Sequence, residues 1–152
     1  MMNRRDLLSH SAKLAALLAT TGLLPGVAHA AYNAAAFDAK TMADLMKALG
    51  AGTPTESKDV SITAPDIAEN GAVVPVGAST ALAGVRKLAI LVEKNPAVLS
   101  ALFEVTDSVD ANMGTRVKMG QSSNVYAVAI MADGRVLYAM KEVKVTLGGC
   151  GG

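Results

Sequence analysis

The feature that most constrains the fold is a period-two alternation of apolar and polar residues, which runs through most of the chain after Val60. Successive side chains of a β-strand point to opposite faces of a sheet, so this period predicts strands with one buried face. Turn signals recur about every 8 to 12 residues, so we predict a mainly-β fold, an immunoglobulin-like antiparallel β-sandwich of around seven strands. The candidate strands are residues 60–64, 73–76, 88–92, 102–105, 116–119, 125–131, 135–140 and 143–147.

Turn residues sharpen this prediction at several places. Asp133-Gly134 lies between two apolar runs and predicts a two-residue hairpin turn, because glycine tolerates the positive φ that such turns require. Glu69-Asn70-Gly71 predicts another turn, and Asn95-Pro96 breaks the pattern between two strands. Pro75 has no N–H to donate to a ladder, so residues 73–76 are expected to form an edge strand.

One short helix is predicted before the strands. Thr41 and Asp44 form a capping-box pattern, in which Asp44 is able to reach back to the first backbone donors. Apolar residues then recur at helical spacing until Gly50, which is a natural helix end. Residues 31–37 are expected to be a weakly patterned lead-in, and residues 52–55 a linker or loop.

The N-terminus has the composition of an export signal. A basic stretch containing Arg4-Arg5 precedes an apolar run at 14–24, which is shorter than the roughly 20 residues that a membrane span needs. Ala28-His29-Ala30 then fits a small-residue cleavage site. The arginine pair favours the twin-arginine route for folded cargo, although Asn3 and Leu7 depart from the usual pattern around that pair.

Removal of residues 1–30 changes the inventory of reactive side chains. Of the 14 Lys and Arg residues three lie in this segment, and of the 13 Asp and Glu residues one does, which leaves 11 basic against 12 acidic side chains and a net charge of −1. This balance gives no electrostatic basis for binding nucleic acid or anionic lipid. Both histidines, His10 and His29, are lost as well, which excludes most zinc sites, Ser-His-Asp or Cys-His catalysis and histidine-ligated haem. We expect no metal or cofactor in the mature chain.

The candidate functional group is Cys150, the single cysteine of the chain, which has two glycines on each side. Glycine has no side chain to bury and loses the most conformational entropy when it is ordered, so we expect a mobile arm after the last strand. Three residues beyond Leu147 give the thiol a reach of roughly 10 Å. An unpaired cysteine in an exported protein suggests a reactive thiol or an intermolecular disulfide. The other predicted arm residues are Gly148, Gly149, Gly151 and Gly152.

The sequence provides no activating group for this thiol. No base or cation lies next to Cys150, so nothing in the arm would favour the thiolate. Such a cysteine is suited to being presented to other active sites, which suggests a carrier that visits several enzymes and is not itself an enzyme. We divide the chain into a cleavable export signal at 1–30, a β-sandwich domain with an N-terminal helix at 31–147 and a carrier arm at 148–152.

Other interpretations of these residues stay open. Cys150 could belong to a tail with an incidental thiol. Of eight methionines, the first two lie in the signal and six remain, so a copper site of Met and Cys ligands is conceivable, although core packing is the simpler role. Residues 141–144 are most simply a solvated strand face, but they border the arm and could guide docking. The methionines concerned include Met113, Met119, Met131 and Met140.

Several segments of the chain resemble the SoxY family, the carrier proteins of thiosulfate oxidation in sulfur-oxidising bacteria. The resemblance includes residues 64–71 and 73–76, Asn95-Pro96, and residues 115–119. Its most specific part is residues 141–152, which end in Gly-Gly-Cys-Gly-Gly. It extends over essentially the whole chain after the signal, and a twin-arginine leader also fits that family.

This resemblance implies that the cysteine matching Cys150 carries the substrate. A haem enzyme would couple thiosulfate to it oxidatively as a cysteine S-thiosulfonate, and a hydrolase would then release sulfate. In some organisms a sulfane dehydrogenase with molybdenum and haem oxidises the remaining sulfur. The resemblance also implies a heterodimer with a SoxZ-like subunit, a second small β-sandwich protein that is co-exported. We expect the mature chain in the periplasm, with all metals in the partner enzymes and no nucleic-acid or membrane partner.

Three functions compete at this point. The first is the covalent sulfur carrier. The second is an exported binding or assembly module in which Cys150 joins two chains by an intermolecular disulfide. The third is a ubiquitin-like sulfur carrier that loads a thiocarboxylate on its terminal Gly151-Gly152, but export would separate it from ATP and the strand-rich pattern fits a β-grasp fold poorly. The covalent carrier is favoured.

Overall fold

The computed structural model describes Leu8, His10, Lys13 and residues 33–147 of the 152-residue chain. The chain divides into two compact units, 1–32 and the remainder. In the first unit the three described residues are helical. Within the described ranges, no helix is long and apolar enough to cross a bilayer.

The described part of the second unit contains two short helices followed by nine strands, which form two sheets. A six-stranded sheet has the order β1-β9-β8-β5-β6, with β3 also paired with β9, and a three-stranded sheet has the order β2-β4-β7. The elements are α1 (Ala34–Phe37), α2 (Met42–Leu49), β1 (Pro54–Glu56), β2 (Val60–Thr63), β3 (Ile67–Ala68), β4 (Val74–Thr80), β5 (Val85–Val92), β6 (Leu99–Glu104), β7 (Asn112–Val117), β8 (Ser123–Met131) and β9 (Val136–Val145).

The two sheets pack over a shared hydrophobic core. Leu88 and Ile90 of β5 and Val125 of β8 contribute to it from the six-stranded sheet, and Val74 and Val76 of β4 contribute from the three-stranded sheet. All five side chains are at most 2% exposed. Removal of this apolar surface from water is the main stabilising contribution to such a domain. The predicted immunoglobulin-like β-sandwich is confirmed.

A second core lies between the helices and the opposite face of the six-stranded sheet. Leu45 and Met46 of α2 pack there with Leu91 of β5, Val128 of β8 and Val136 of β9. The central strands β5 and β8 are therefore buried on both faces over much of their length, which explains the continuous apolar runs at 88–92 and 127–131, where the strict alternation is lost.

Helix α2 forms as predicted. The Thr41 hydroxyl accepts a hydrogen bond from the Asp44 N–H at 3.1 Å, and Gly50 ends the helix with φ of 63°. A left-handed residue at this position is typical of glycine. Asp44 differs from the prediction in one respect: its carboxylate accepts from the Thr41 hydroxyl at 2.7 Å and does not reach back to the backbone. The lead-in prediction was wrong at Ala34–Phe37, where α1 forms under an Asn33 cap.

Two short strands were missed, and both pair with β9 in parallel. Residues 52–55 were predicted to be a linker or loop, but Pro54–Glu56 forms β1, with Pro54 opposite Val136. Ile67–Ala68 forms β3, with Ile67 opposite Lys144. Two or three residues are too few to show a period, and a parallel partner far along the chain leaves no local turn signal.

The strand that contains Pro75 was predicted to be an edge strand, which was wrong for the sheet as a whole. Strand β4 lies between β2 and β7. Pairing with β2 ends, however, at Thr63 opposite Gly77, so Pro75 faces only Arg116 of β7. On the β2 side the missing N–H therefore has no strand to donate to, which is why proline is tolerated here.

The predicted hairpin at Asp133-Gly134 is present, but its turn is longer than two residues. Strand β8 ends at Met131 and strand β9 begins at Val136. The Met131 N–H donates to the Arg135 carbonyl at 2.9 Å. Within this loop only Gly134 has a positive φ, of 88°, so a longer glycine-containing loop replaces the two-residue type. The Arg135 backbone N–H and side chain hold the pKa of the Asp133 carboxyl below its ordinary value.

The last strand is continuous where two separate strands, 135–140 and 143–147, were predicted. Strand β9 runs from Val136 to Val145 between β8 on one side and the two short parallel strands on the other. The parallel strands cover its beginning and its end, respectively. The C-terminal end of β9 is consequently a fixed part of the sheet, and it leads towards the predicted carrier arm.

Candidate functional site

The candidate site is the point at which β9 leads into the predicted arm. Cys150, the proposed attachment residue, lies outside the described residues, and so do the four glycines around it and most of the predicted signal at 1–30. The arm and signal therefore stay predictions from the sequence. The last described residue is Leu147, three positions before the cysteine. The arm glycines are Gly148, Gly149, Gly151 and Gly152.

Main-chain hydrogen bonds hold β9 to the segment around β3. The Lys144 N–H donates to the Asp66 carbonyl at 2.9 Å, and the Thr146 N–H donates to the Ala68 carbonyl at 3.1 Å. These bonds continue along β9 beyond the residues that pair with β8, because β8 begins at Ser123, opposite Val143. The short parallel strand thus takes over from β8 at the end of the sheet.

Two side chains add to this attachment. The Ser122 hydroxyl accepts from the Val145 N–H at 2.9 Å, on the side of β9 where β8 has ended. The Thr146 hydroxyl donates to the Glu69 carbonyl at 3.0 Å, on the opposite side. Each backbone N–H from Lys144 to Thr146 therefore has a partner, which matters because unpaired main-chain groups promote fraying at strand ends.

The last described residue is also held. The Leu147 carbonyl accepts from the Gly71 N–H at 2.8 Å, and the Gly71 carbonyl in turn accepts from the Met119 N–H at 2.7 Å. Asn70 closes the predicted turn, since its side-chain oxygen accepts from the Ala72 N–H at 2.9 Å. We call this group of contacts to residues 144–147 the arm-root clamp. Its members are Asp66, Ala68, Glu69, Gly71, Ser122 and Thr146.

The charged stretch before the arm is only partly a solvated face. Glu142 and Lys144 are exposed as predicted, and Val143 is fully buried between them. Lys141 differs, because its ammonium donates to the Ala64 carbonyl at 2.6 Å and lies 3.0 Å from the Asp66 carboxylate. Asp66 is largely exposed, so the ion pair contributes little stability. The contact to the carbonyl fixes the start of the β3 segment against β9.

Three large apolar side chains near the clamp are exposed. Leu147 is 71% exposed, Ile67 of β3 is 58% exposed, and Val73, just after the turn, is 53% exposed. Single exposed apolar residues are normal on protein surfaces. Here all three belong to the segments that meet at the end of β9, which makes this end of the sandwich less polar than the exposed charges of 141–144 suggest.

The methionines mostly have the packing role that was favoured for them. Met119 and Met131 are buried in the core between the sheets, and Met113 packs against that core. Met140 is 46% exposed, so core packing does not account for it. In the described part of the chain, no group of three or more His, Cys, Asp or Glu side chains is arranged to hold a metal ion.

The sequence predicts an arm, but the residues that hold the end of β9 before it were missed. Ser122 and Thr146 showed no motif, because their partners are backbone atoms of distant segments: Glu69 and Thr146 are 77 positions apart. The run at 64–71 was interpreted as a turn at Glu69-Asn70-Gly71 and as part of a family resemblance, and neither interpretation predicted contacts with β9. A polar residue that interrupts an apolar strand end is a weak signal for such contacts.

The fold and the sequence that follows it define a class of protein: a small β-sandwich whose last strand leads directly into a glycine-flanked cysteine. Residues 45–150 match the family model described as "Sulfur oxidation protein SoxY". The solved structure of the sulfur carrier protein SoxY from Chlorobium limicola f thiosulfatophilum is 32% identical, with a TM-score of 0.61, and the match covers 68% of this chain and 93% of that one. The chain belongs to the SoxY family of sulfur oxidation proteins.

More distant structures share only the fold. The superoxide reductase (neelaredoxin) from Ignicoccus hospitalis is 20% identical, with a TM-score of 0.51, over 57% of this chain and 79% of that one. A putative superoxide reductase from Thermotoga maritima is 12% identical, with a TM-score of 0.50, over 64% of this chain and 96% of that one. Among curated proteins, no match to this chain was found.

Proposed function

We propose that this protein is a covalent carrier of thiosulfate-derived sulfur and that Cys150 is the attachment residue. The observation that carries the proposal is the family match, which extends to residue 150 and therefore includes this cysteine. The anchored end of β9 supports it, because the chain is held up to Leu147 and the thiol follows three residues later. A carrier needs a stable body and a reactive group close to its surface.

The chemistry assigned to Cys150 balances in two steps. The thiol and thiosulfate form a new sulfur–sulfur bond, which gives a cysteine S-thiosulfonate, one proton and two electrons, and a partner haem enzyme accepts the electrons. Hydrolysis then cleaves the sulfur–sulfonate bond: water supplies the fourth oxygen of sulfate, two protons are released, and a persulfide stays on Cys150. A sulfane dehydrogenase is the candidate for oxidising that persulfide. The carrier itself is not an enzyme in this scheme.

The residues of the mature chain indicate that the partner enzymes activate the thiol and that the carrier does not. Between residues 31 and 152 there is no histidine, and no base or cation adjoins the cysteine, so activation of the thiol has to come from the partner active sites. We further propose a heterodimer with a SoxZ-like subunit and export to the periplasm through the signal at 1–30. Folded export would allow the partner subunit to travel with the carrier.

An intact-mass measurement tests the assignment. Protein purified from cells supplied with thiosulfate is expected to be heavier by one S₂O₃ group or by one sulfur atom, with the addition confined to the C-terminal peptide and removed by a reducing agent. A dimer mass that collapses on reduction would support the disulfide-linked assembly module. Replacement of one carboxylate oxygen of Gly152 by sulfur, a smaller mass increase than one added sulfur atom, would support the thiocarboxylate carrier. An unmodified chain under these conditions would contradict the proposal.

The glycines next to the cysteine should control access to it. Substituting Gly148→Val and Gly149→Val together places two β-branched side chains beside the thiol, so we expect modification of Cys150 by its partner enzymes to slow by about tenfold or more. The thermal unfolding temperature should change little, because both positions follow the clamp. Alkylation of the thiol by N-ethylmaleimide in the same variant serves as the control for intrinsic reactivity. Normal enzymatic rates would contradict the idea that the partner enzymes require residues without side chains at positions 148 and 149.

A further inference from the structure

We propose that the arm-root clamp sets the working length of the carrier arm and that Thr146 is its positioning residue. This inference rests on the proposed role of Cys150, because a defined reach matters only if that thiol is presented to other proteins. The role proposed for the clamp residues is positional and does not include chemistry on the sulfur. They act on it by fixing the point from which the last residues of the chain start.

The need for a clamp follows from the register of β9. Strand β8 begins at Ser123, opposite Val143, so residues 144–147 have no partner in β8. A strand end with unpaired main-chain groups opens readily. Here the β3 segment and Ser122 provide the missing partners, with donor–acceptor distances from 2.8 to 3.1 Å, and the contacts extend to the Leu147 carbonyl. The chain is therefore held four residues beyond the end of its β8 ladder.

The distance that the thiol can reach depends on how many residues separate Cys150 from the last residue held by the clamp. From a root at Leu147, an extended chain places Cys150 at most about 10 Å away. If β9 opened back to Val143, the same extension would reach about 25 Å. Because the effective concentration of a tethered group falls roughly as the −3/2 power of tether length, this opening would dilute the thiol about three- to fourfold near the surface of the sandwich. The clamp thus favours short-range presentation.

Thr146 is the clamp residue whose side-chain hydrogen bond can be removed by a single substitution without other large changes. Its hydroxyl donates to the Glu69 carbonyl at 3.0 Å, and the residue is exposed, so neither group is forced into a dry environment when the bond is removed. Valine has nearly the same shape and high strand propensity but no hydroxyl. The net effect of one such hydrogen bond corresponds to about a fivefold change in an opening equilibrium.

The test uses the mature protein, in which Cys150 is the single thiol, and compares Thr146→Val with Thr146→Ser. Amide hydrogen exchange at Val145, Thr146 and Gly71 is expected to accelerate about fivefold in the valine variant and to stay near the wild-type rate in the serine variant, which keeps the hydroxyl. Thr55→Val, at the opposite end of the β9 edge, is the matched control for the threonine-to-valine change and should leave these amides unaffected.

A second readout measures reach itself. The rate of Cys150 capture by maleimide on a silica surface with a short spacer is divided by its rate with free N-ethylmaleimide, so that thiol reactivity cancels. With a spacer too short for a thiol whose chain starts at Leu147, capture requires the opened strand end. This ratio is therefore expected to rise about fivefold in Thr146→Val, and also in Ser122→Ala, which removes the partner of the Val145 N–H. An unchanged ratio in both variants, or equal exchange in the valine and serine variants, would overturn the proposal. Neither readout involves thiosulfate, so failure of the proposed function would not be mistaken for failure of the clamp.

Discussion

Substitution Cys150→Ser is expected to abolish thiosulfate-dependent turnover while leaving the sandwich folded. A serine hydroxyl has no sulfur with which to form a sulfur–sulfur bond, so oxidative coupling of thiosulfate has no acceptor. The rate in a mixture with the partner enzymes should fall to that of a mixture without the carrier. The measurement is sulfate release or electron transfer to cytochrome in the reconstituted system, with the wild-type and serine proteins at equal concentration.

The control for this substitution is a reversible block of the same thiol. Wild-type protein treated with a disulfide-forming reagent should lose activity and regain it on reduction, whereas the serine variant should stay inactive throughout. Equal thermal unfolding temperatures are expected for both, because residue 150 follows β9 and the arm-root clamp in the sequence. Retained turnover in the serine variant would contradict the proposal that Cys150 carries the sulfur. A role in a disulfide-linked assembly would then need a separate test.

Substitution Leu88→Ala should produce the largest loss of stability. Leu88 is fully buried in the core between the two sheets, on a strand with neighbours on both sides, opposite Phe103 of β6 and Ala129 of β8. Truncation of a buried leucine removes apolar contacts and leaves a cavity. Because β5 is hydrogen-bonded to a strand on each side, it cannot easily move to fill that cavity. We expect the free energy of unfolding to fall by about 2 to 5 kcal/mol, as measured by urea denaturation of a chain that comprises residues 31–152.

The matched control is the same substitution at an exposed leucine. Leu147 is 71% exposed, so Leu147→Ala is expected to change the free energy of unfolding by no more than about 0.5 kcal/mol. Similar small losses at both positions would mean that the core between the sheets contributes less than the burial of Leu88 implies. The m-values of the two variants should match, since neither change alters the amount of surface exposed on unfolding.

The local features of this fold were predictable from the sequence, whereas its long-range pairings were not. The helix at Met42–Leu49 followed from a cap, a period and a glycine that are adjacent in the chain. The parallel strands β1 and β3 were missed, because each consists of two or three residues and finds its partner in β9 about 80 residues later. Pro75 was interpreted from its missing N–H alone, although β4 has β2 as a second neighbour from Gly77 to its end at Thr80.

The candidate site shows the same division. The cysteine and its glycines are contiguous, so their chemistry could be proposed from spacing, and the sulfur cargo came from the family resemblance that the comparisons confirm. The clamp could not be predicted in this way. Its contacts join the end of β9 to carbonyls of Asp66, Ala68 and Glu69, and which carbonyls become neighbours is decided by the packing of the whole sandwich.

The position of β9 within the six-stranded sheet also determines when this protein can fold. It is the last strand to be synthesised, yet it lies between β8 and the two short parallel strands, so the sheet is incomplete until it arrives. A nascent or truncated chain that ends before Val136 would leave β1, β3 and one edge of β8 without partners. Folding therefore requires that translation has passed the end of β9 at Val145, and an export route that accepts only folded cargo would reject chains that end before this strand.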